Sequence, residues 1–73
     1  MKRKMMKYAM LYISDLVEDA FPEEDGMTTE EFIELMDIRF IYEEVVYGSR
    51  IDAILIITEH GEEEATFRCN IAR

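Results

Sequence analysis

The segment from Arg50 to Thr58, with the sequence RIDAILIIT, constrains the fold of this chain more than any other. Its β-branched residues and its length favour a β-strand. In a strand, one face would carry Ile51, Ala53, Leu55 and Ile57, and the other would carry Ile54 and Ile56. A strand that is apolar on both faces needs a central position in a sheet. The segments on either side are therefore expected to supply the neighbouring strands.

The following segment predicts a hairpin. The turn is Glu59-His60-Gly61-Glu62, with Gly61 where a positive φ is required. Apolar and polar residues then alternate as in a half-buried strand, with Ala65, Phe67, Cys69 and Ile71 set against Thr66, Arg68 and Asn70.

The preceding segment, residues 38–47, is rich in β-branched and aromatic residues, which favours a strand that ends at a Gly48-Ser49 turn. Its alternation is irregular. A continuation of the preceding helix to a cap at Gly48 is therefore the alternative interpretation.

Residues 3–20 predict an amphipathic helix. Its apolar stripe consists of Met6, Met10, Ile13, Val17 and Ala20, widened by Ala9 and Leu16. The basic residues at its start and the acidic residues at its end oppose the helix macrodipole, which weakens the prediction. A strand through Met6, Tyr8, Met10 and Tyr12 is the competing interpretation.

A capping box marks the start of a second helix, from about Thr29 to Asp37. Thr28 can cap its first turn, and Glu31 can reach back to the Thr28 amide. Met27 and Phe32 occupy the two positions of a hydrophobic staple. This helix is expected to bury Phe32, Leu35 and Met36. The sum is a single α+β domain over residues 1–73, with two helices packed on a three-stranded antiparallel sheet in the order α-α-β-β-β.

Residues for catalysis or metal binding are scarce. His60 and Cys69 are the only histidine and cysteine, so they give two of the four ligands of a structural zinc site. The three glycines are isolated, which excludes a Walker loop. An EF-hand loop with Gly26 at its sixth position would place Phe21 and Phe32 where oxygen ligands are needed. We therefore expect no enzyme activity, no cofactor and no metal.

The sequence does not predict a membrane protein or a secreted protein either. The chain has no apolar stretch of about 18 residues, as a membrane-spanning helix requires. An unpaired cysteine is typical of a reducing compartment. These features predict a cytoplasmic protein, in the host cell cytoplasm if it is phage-encoded.

Charge is distributed very unevenly along the chain. The net charge is −9, but Lys2, Arg3, Lys4 and Lys7 hold half of the basic residues. Between Asp15 and Ile38 there are ten carboxylates and no lysine or arginine. Such a field attracts basic partners and repels nucleic acid. The partner is therefore expected to be a basic, nucleic-acid-binding protein, without direct contact to nucleic acid.

The predicted binding surface joins this acidic region to two tyrosines. Its carboxylates are Glu18, Asp19, Glu23, Glu24, Asp25, Glu30, Glu34 and Asp37, and its anchors are Tyr42 and Tyr47. Glu30, Glu34 and Asp37 have i, i+4, i+7 spacing and should form a row on the second helix, opposite its buried face. A row of carboxylates can imitate a phosphate backbone.

These features favour a protein-binding inhibitor of the DNA-mimic type. In size and charge the chain is similar to small phage and mobile-element inhibitors of CRISPR effectors, restriction enzymes and uracil-DNA glycosylase. The alternative is a small assembly protein that acts through homodimerisation, by a sheet edge or the Met-rich helix, and is acidic for solubility alone.

Overall fold

The computed structural model describes residues 1–21 and 26–72. It contains helix α1 (Lys2–Ala20), helix α2 (Thr29–Leu35) and strands β1 (Ile38–Tyr47), β2 (Arg50–Glu59) and β3 (Glu62–Ala72). The strands form one antiparallel sheet in the order β1-β2-β3, so the apolar strand β2 is central. The predicted α+β fold and its element order are confirmed.

Both ambiguous segments are resolved by their contacts. Residues 2–20 are helical, and residues 38–47 form a strand that pairs with β2 along its whole length. Asp37 separates α2 from β1 because its φ of 49° lies in the left-handed region and ends the helix. The β2–β3 turn follows the prediction, with positive φ at both His60 and Gly61, as in a type I′ hairpin.

The start of α2 has the predicted cap with one change. The Thr28 hydroxyl oxygen accepts a hydrogen bond from the Glu31 amide at 3.0 Å. The Glu31 carboxylate accepts from the Thr28 hydroxyl at 3.2 Å, where the sequence predicted the Thr28 amide. Both predicted staple residues belong to the core, with Phe32 buried and Met27 partly buried against it.

The buried stripe of α1 differs from the predicted one. Its buried residues are Met5, Ala9, Ile13 and Val17, at a regular spacing of four. Ala20, predicted to belong to the stripe, is exposed, and Met6, Met10 and Leu16 are only half-buried. The contact beyond Val17 is made by Phe21, whose ring lies edge-on to that of Phe32 with centroids 6.2 Å apart.

The predicted face of α2 is also corrected. The helix ends at Leu35, and the Leu35 side chain is 61% exposed. With about 100° of rotation per residue, Ile33 and Met36 lie to one side of Phe32 and Leu35 lies to the other. The Thr29 hydroxyl lies 2.9 Å from the Ser14 hydroxyl of α1, on the same side as Ile33. Packing against α1 therefore half-buries Ile33 and Met36 and leaves Leu35 in solvent.

The core lies entirely between the helices and one face of the sheet. It consists of Met5, Ala9, Ile13, Val17, Phe32, Ile38, Ala53, Leu55 and Ile57. Within the described residues, no helix covers the opposite face, which we call the open face. From β1 it carries Arg39, Ile41, Glu43, Val45 and Tyr47; from β2 Arg50, Asp52, Ile54, Ile56 and Thr58; and from β3 Glu63, Thr66, Arg68 and Asn70.

Two leucines offer a matched test of this architecture. Leu55 is fully buried at the centre of β2, and Leu35 is exposed on α2. We expect Leu55→Ala to lower the free energy of unfolding by about 2–5 kcal/mol, because it removes buried methyl groups and leaves a cavity. Leu35→Ala should change it by less than about 0.5 kcal/mol. Urea unfolding followed by circular dichroism measures both.

Should Leu55→Ala fail to fold, Ile57→Val is the milder probe, with an expected loss of about 0.5–1.5 kcal/mol. If Leu35→Ala and Leu55→Ala lowered the free energy of unfolding equally, the finding that α2 leaves Leu35 exposed to solvent would be contradicted.

Candidate functional site

Tertiary structure collects the acidic residues at one end of the molecule. Helix α1 starts over the middle of the sheet, where the Lys2 ammonium lies 5.9 Å from the centre of the Tyr42 ring. It then runs toward the β2–β3 turn, where the Tyr12 hydroxyl donates a hydrogen bond to Glu64 at 3.4 Å. The Asp37 carbonyl accepts from the His60 amide at 3.2 Å, which ties the end of α2 to the same turn.

We call this region the acidic end. Its carboxylates within the described residues are Asp15, Glu18, Asp19, Glu30, Glu31, Glu34, Asp37, Glu59, Glu62, Glu63 and Glu64. Among the residues described, it has one guanidinium, that of Arg39, which pairs with Asp37 at 3.2 Å. Eleven carboxylates and one guanidinium give the described part of this end a formal charge of −10.

The predicted acidic residues are partly brought together here. Glu18, Asp19, Glu30, Glu34 and Asp37 are all exposed at the acidic end. Glu23, Glu24 and Asp25 lie outside the described residues. The predicted row through Asp37 is wrong in its geometry, because α2 stops at Leu35 and Asp37 turns away with a positive φ. Glu30 and Glu34 remain, one helical turn apart.

Sequence reasoning missed the contribution of the hairpin. Glu59, Glu62, Glu63 and Glu64 flank the His60-Gly61 turn, and chain reversal brings this turn beside α2. The turn itself was predicted, so its acidic flanks were a visible signal. The sequence does not show that the end of α2 would lie beside this turn.

The opposite half of the molecule is basic. Its cations within the described residues are Lys2, Arg3, Lys4, Lys7, Arg50 and Arg68, against the carboxylates Glu43, Glu44 and Asp52. The described residues of this half therefore have a formal charge of +3. The uneven charge of the linear chain becomes a separation of charge along a molecule 48 Å long.

The two predicted tyrosine anchors lie away from the acidic end and on opposite faces of β1. Tyr42 faces α1, and its hydroxyl donates to Glu44 at 2.8 Å. Partial burial and this hydrogen bond raise the pKa of Tyr42 above its usual value. Tyr47 lies on the open face, where its hydroxyl accepts from Arg68 at 2.7 Å. The structure does not join either side chain to the acidic surface.

A buried carboxylate organises the basic end of the open face. Asp52 is 1% exposed, and its Oδ1 accepts from Arg50 Nε at 2.9 Å and from Asn70 Nδ2 at 3.1 Å. Its Oδ2 accepts from Arg68 Nε at 2.9 Å. The hydrogen bonds from Arg50 and Asn70 hold the pKa of Asp52 well below its usual range, against the opposing effect of burial.

This cluster could have been suspected from the sequence. Asp52 is the single charged residue inside the apolar run of β2, and a charge in such a position needs partners. Its partners could not be named, because Arg68 and Asn70 become neighbours only through the register of β3.

The other reactive groups lie far apart. His60 is exposed at the β2–β3 turn, and Cys69 is half-buried opposite Ala53. His60 and Ala53 are seven residues apart along the strand, so His60 and Cys69 are separated by roughly 20 Å. Over residues 1–21 and 26–72, no three histidine, cysteine or acidic side chains converge as metal ligands would. In the part of the chain that the structure describes, no helix is long and apolar enough to cross a membrane.

In comparisons with known proteins, no family model, no curated protein and no solved structure matches this chain.

The Asp52 cluster predicts a specific dependence of stability on pH. Because the folded pKa of Asp52 is depressed, its stabilising effect is complete above the unfolded pKa of about 4 and is lost as the pH falls below it. Asp52→Asn removes this titration. The difference in urea midpoint between wild type and Asp52→Asn should therefore be largest near neutral pH and should shrink below about pH 4.

The remaining carboxylates titrate in both proteins, so the difference isolates Asp52. A difference that stays constant from pH 7 to pH 3 would refute the role of Asp52 as an ionised, hydrogen-bonded group.

Proposed function

We propose that this protein is a non-enzymatic inhibitor or regulator that uses its acidic end to bind the basic groove of a nucleic-acid-handling protein. The observation that supports this proposal is the separation of charge. A surface of eleven carboxylates with one arginine produces a strong local field even though the opposite half of the molecule is positive. Such a field speeds association with a basic partner.

The distribution of these carboxylates supports a binding role over a general role in solubility. Like charges at i and i+4 on a helix, as at Glu30 and Glu34, lower helix stability by a few tenths of a kcal/mol. Interspersed lysines would remove this cost, and the described part of α2 has none. The repulsion is relieved when a cationic surface covers the acidic end.

An exposed apolar side chain lies within the acidic surface. Leu35 is 61% exposed and lines a shallow cavity of about 430 Å³ together with Met27, Glu31 and Glu34. Protein interfaces usually combine an apolar core with a polar rim. Leu35 therefore takes the anchoring role that the sequence assigned to Tyr42 and Tyr47.

The functional class that fits this proposal is the small inhibitors from phages and mobile elements. These inhibitors act on CRISPR effectors, restriction enzymes or DNA repair enzymes. Such a protein would act in the cytoplasm of the cell in which its target works. A different observation, the apolar centre of the open face, favours the alternative function of an assembly protein that acts as a homodimer.

Two variants of equal net charge test the proposed surface. Glu30→Gln/Glu34→Gln removes two negative charges from the acidic end and keeps the helix. Glu44→Lys changes the net charge by the same amount at the other half of the molecule. The immobilised protein is used to capture partners from a lysate of its source cell at low and moderate salt, and binding of the captured protein is then measured.

We expect a captured nucleic-acid-binding protein that duplex DNA displaces and that salt releases. Its affinity should fall roughly 3- to 10-fold for Glu30→Gln/Glu34→Gln, as expected for two surface charge contacts. Glu44→Lys should bind like wild type. Equal affinity for all three proteins, or a captured partner that DNA does not displace, would reject the proposal.

A further inference from the structure

The open face of the sheet has an apolar centre. Ile41, Val45, Ile54 and Ile56 are adjacent on it, and Ile41 is 45% exposed. An antiparallel sheet with one face in water normally carries polar residues on that face. A contiguous apolar patch on a small protein marks an interaction site.

The charged residues around this patch follow a regular pattern across the three strands. In one cross-strand row, Arg39 of β1, Thr58 of β2 and Glu63 of β3 are paired neighbours. Four residues further along β1, the order of charges is reversed, with Glu43, Ile54 and Arg68 in the same relation. The row between them contains Ile41, Ile56 and Thr66.

This pattern is complementary to itself. A two-fold axis parallel to β2 and passing beside Ile56 exchanges β1 and β3 and keeps each row at its own level. In the two rows that flank the centre, each positive side chain of one copy then faces a negative side chain of the other: Arg39 meets Glu63, and Arg68 meets Glu43. Ile56 meets Ile56 at the centre. Four intermolecular ion pairs would surround an apolar contact.

We propose that the open face is a homodimer interface with this symmetry, in which two sheets pack face to face. Two packed sheets cross at about −30° because of their twist. The two charged rows lie only two residues, or roughly 7 Å, from the central row. At this distance the twist displaces facing residues by roughly 3–4 Å, which arginine and glutamate side chains can span.

The arginine side chains are suitably arranged for these contacts. Arg39 uses Nε to bind Asp37, and its side chain is 76% exposed. Arg68 uses Nε to bind Asp52 and Nη2 to bind Tyr47, so Nη1 can donate to Glu43 of a second copy. Because these bonds fix the Arg68 guanidinium before association, less side-chain entropy is lost on binding.

The available area matches a weak to moderate dimer. Ten residues of strand span roughly 33 Å and three strands span roughly 14 Å, which gives on the order of 1,000 Å² for the two copies together. This is the lower limit of a specific interface. Arg50 lies six residues from the central row, where the twist separates it from its symmetry mate, so like charges do not meet.

The arrangement also stabilises the fold. A domain of this size has a thin core, and oligomerisation is a common reinforcement. Burial of Ile54 and Ile56 in a dimer would supply apolar area on the second face of β2 that the two helices cannot cover.

The experiment is sedimentation equilibrium of the full chain at 0.15 M salt, with variants designed for this symmetry. Wild type should show twice the chain mass of 8.7 kDa at high micromolar concentration. Ile56→Lys should be a monomer with an unchanged circular dichroism spectrum. Leu11→Lys, an equivalent change at the exposed side of α1, should remain a dimer.

A charge exchange tests the orientation. Arg39→Glu and Glu63→Arg should each raise the dimer dissociation constant about tenfold or more, because each creates two like-charge contacts. The double variant Arg39→Glu/Glu63→Arg should return to within about threefold of wild type. A wild-type monomer at these concentrations, a dimeric Ile56→Lys, or a double variant weaker than both single variants would overturn the proposed interface.

Discussion

The packing of α1 onto one face of β2 is the contact on which the rest of the structure depends. Ala9 and Ile13 are completely buried against a strand whose own Ala53, Leu55 and Ile57 are completely buried. Among the residues that the structure describes, α1 is the one long helix, and α2 has just seven residues. Because β2 is apolar on both sides, covering one face leaves an apolar row on the other. The open face is thus a direct consequence of a strand with more apolar surface than the two described helices can cover.

The direction of α1 determines where the charge lies. Its first turn is basic and its last turn is acidic, an orientation that the helix macrodipole disfavours. That cost is small beside the burial of four side chains along the helix. Because α1 points toward the β2–β3 turn, its acidic residues join those of α2 and the hairpin. Packing therefore converts an unfavourable local charge order into one continuous acidic surface.

Much of the fold could be predicted from local signals. The central position of β2 followed from its apolar faces, and the start of α2 followed from Thr28 and Glu31. The errors arose where tertiary contact decides between two local options. Leu35 belongs to the apolar periodicity of α2, but only the position of α1 determines that Ile33 and Met36 are covered in its place. The predicted stripe of α1 included Ala20 because periodicity does not show that Phe21, the next residue, makes the contact with α2.

The candidate site was less predictable for the same reason. The ten carboxylates between Asp15 and Ile38 are visible in the sequence, but the contribution of Glu59 and Glu62–Glu64 depends on the approach of the hairpin to α2. The surroundings of Asp52 depend on register, because Arg68 and Asn70 are separated from it by 16 and 18 positions. A charged residue in an apolar strand indicates that it has polar partners. Only the register of the strands shows which residues these partners are.

The two proposed surfaces share only Arg39 and Glu63, and their geometries are related. A two-fold axis parallel to the strands keeps each end of the sheet at its own level. The acidic ends of both copies would therefore point in the same direction. The mutual repulsion of the helical carboxylates is limited because the two packed sheets alone are about 10 Å apart and the helices lie on their outer faces, which places those carboxylates beyond the Debye length at physiological salt. Such a dimer would present two acidic surfaces side by side, and a partner with an extended basic groove could engage both at once. The second contact would then be intramolecular, so the affinity for a long groove would exceed that of a single acidic end without any new contact type.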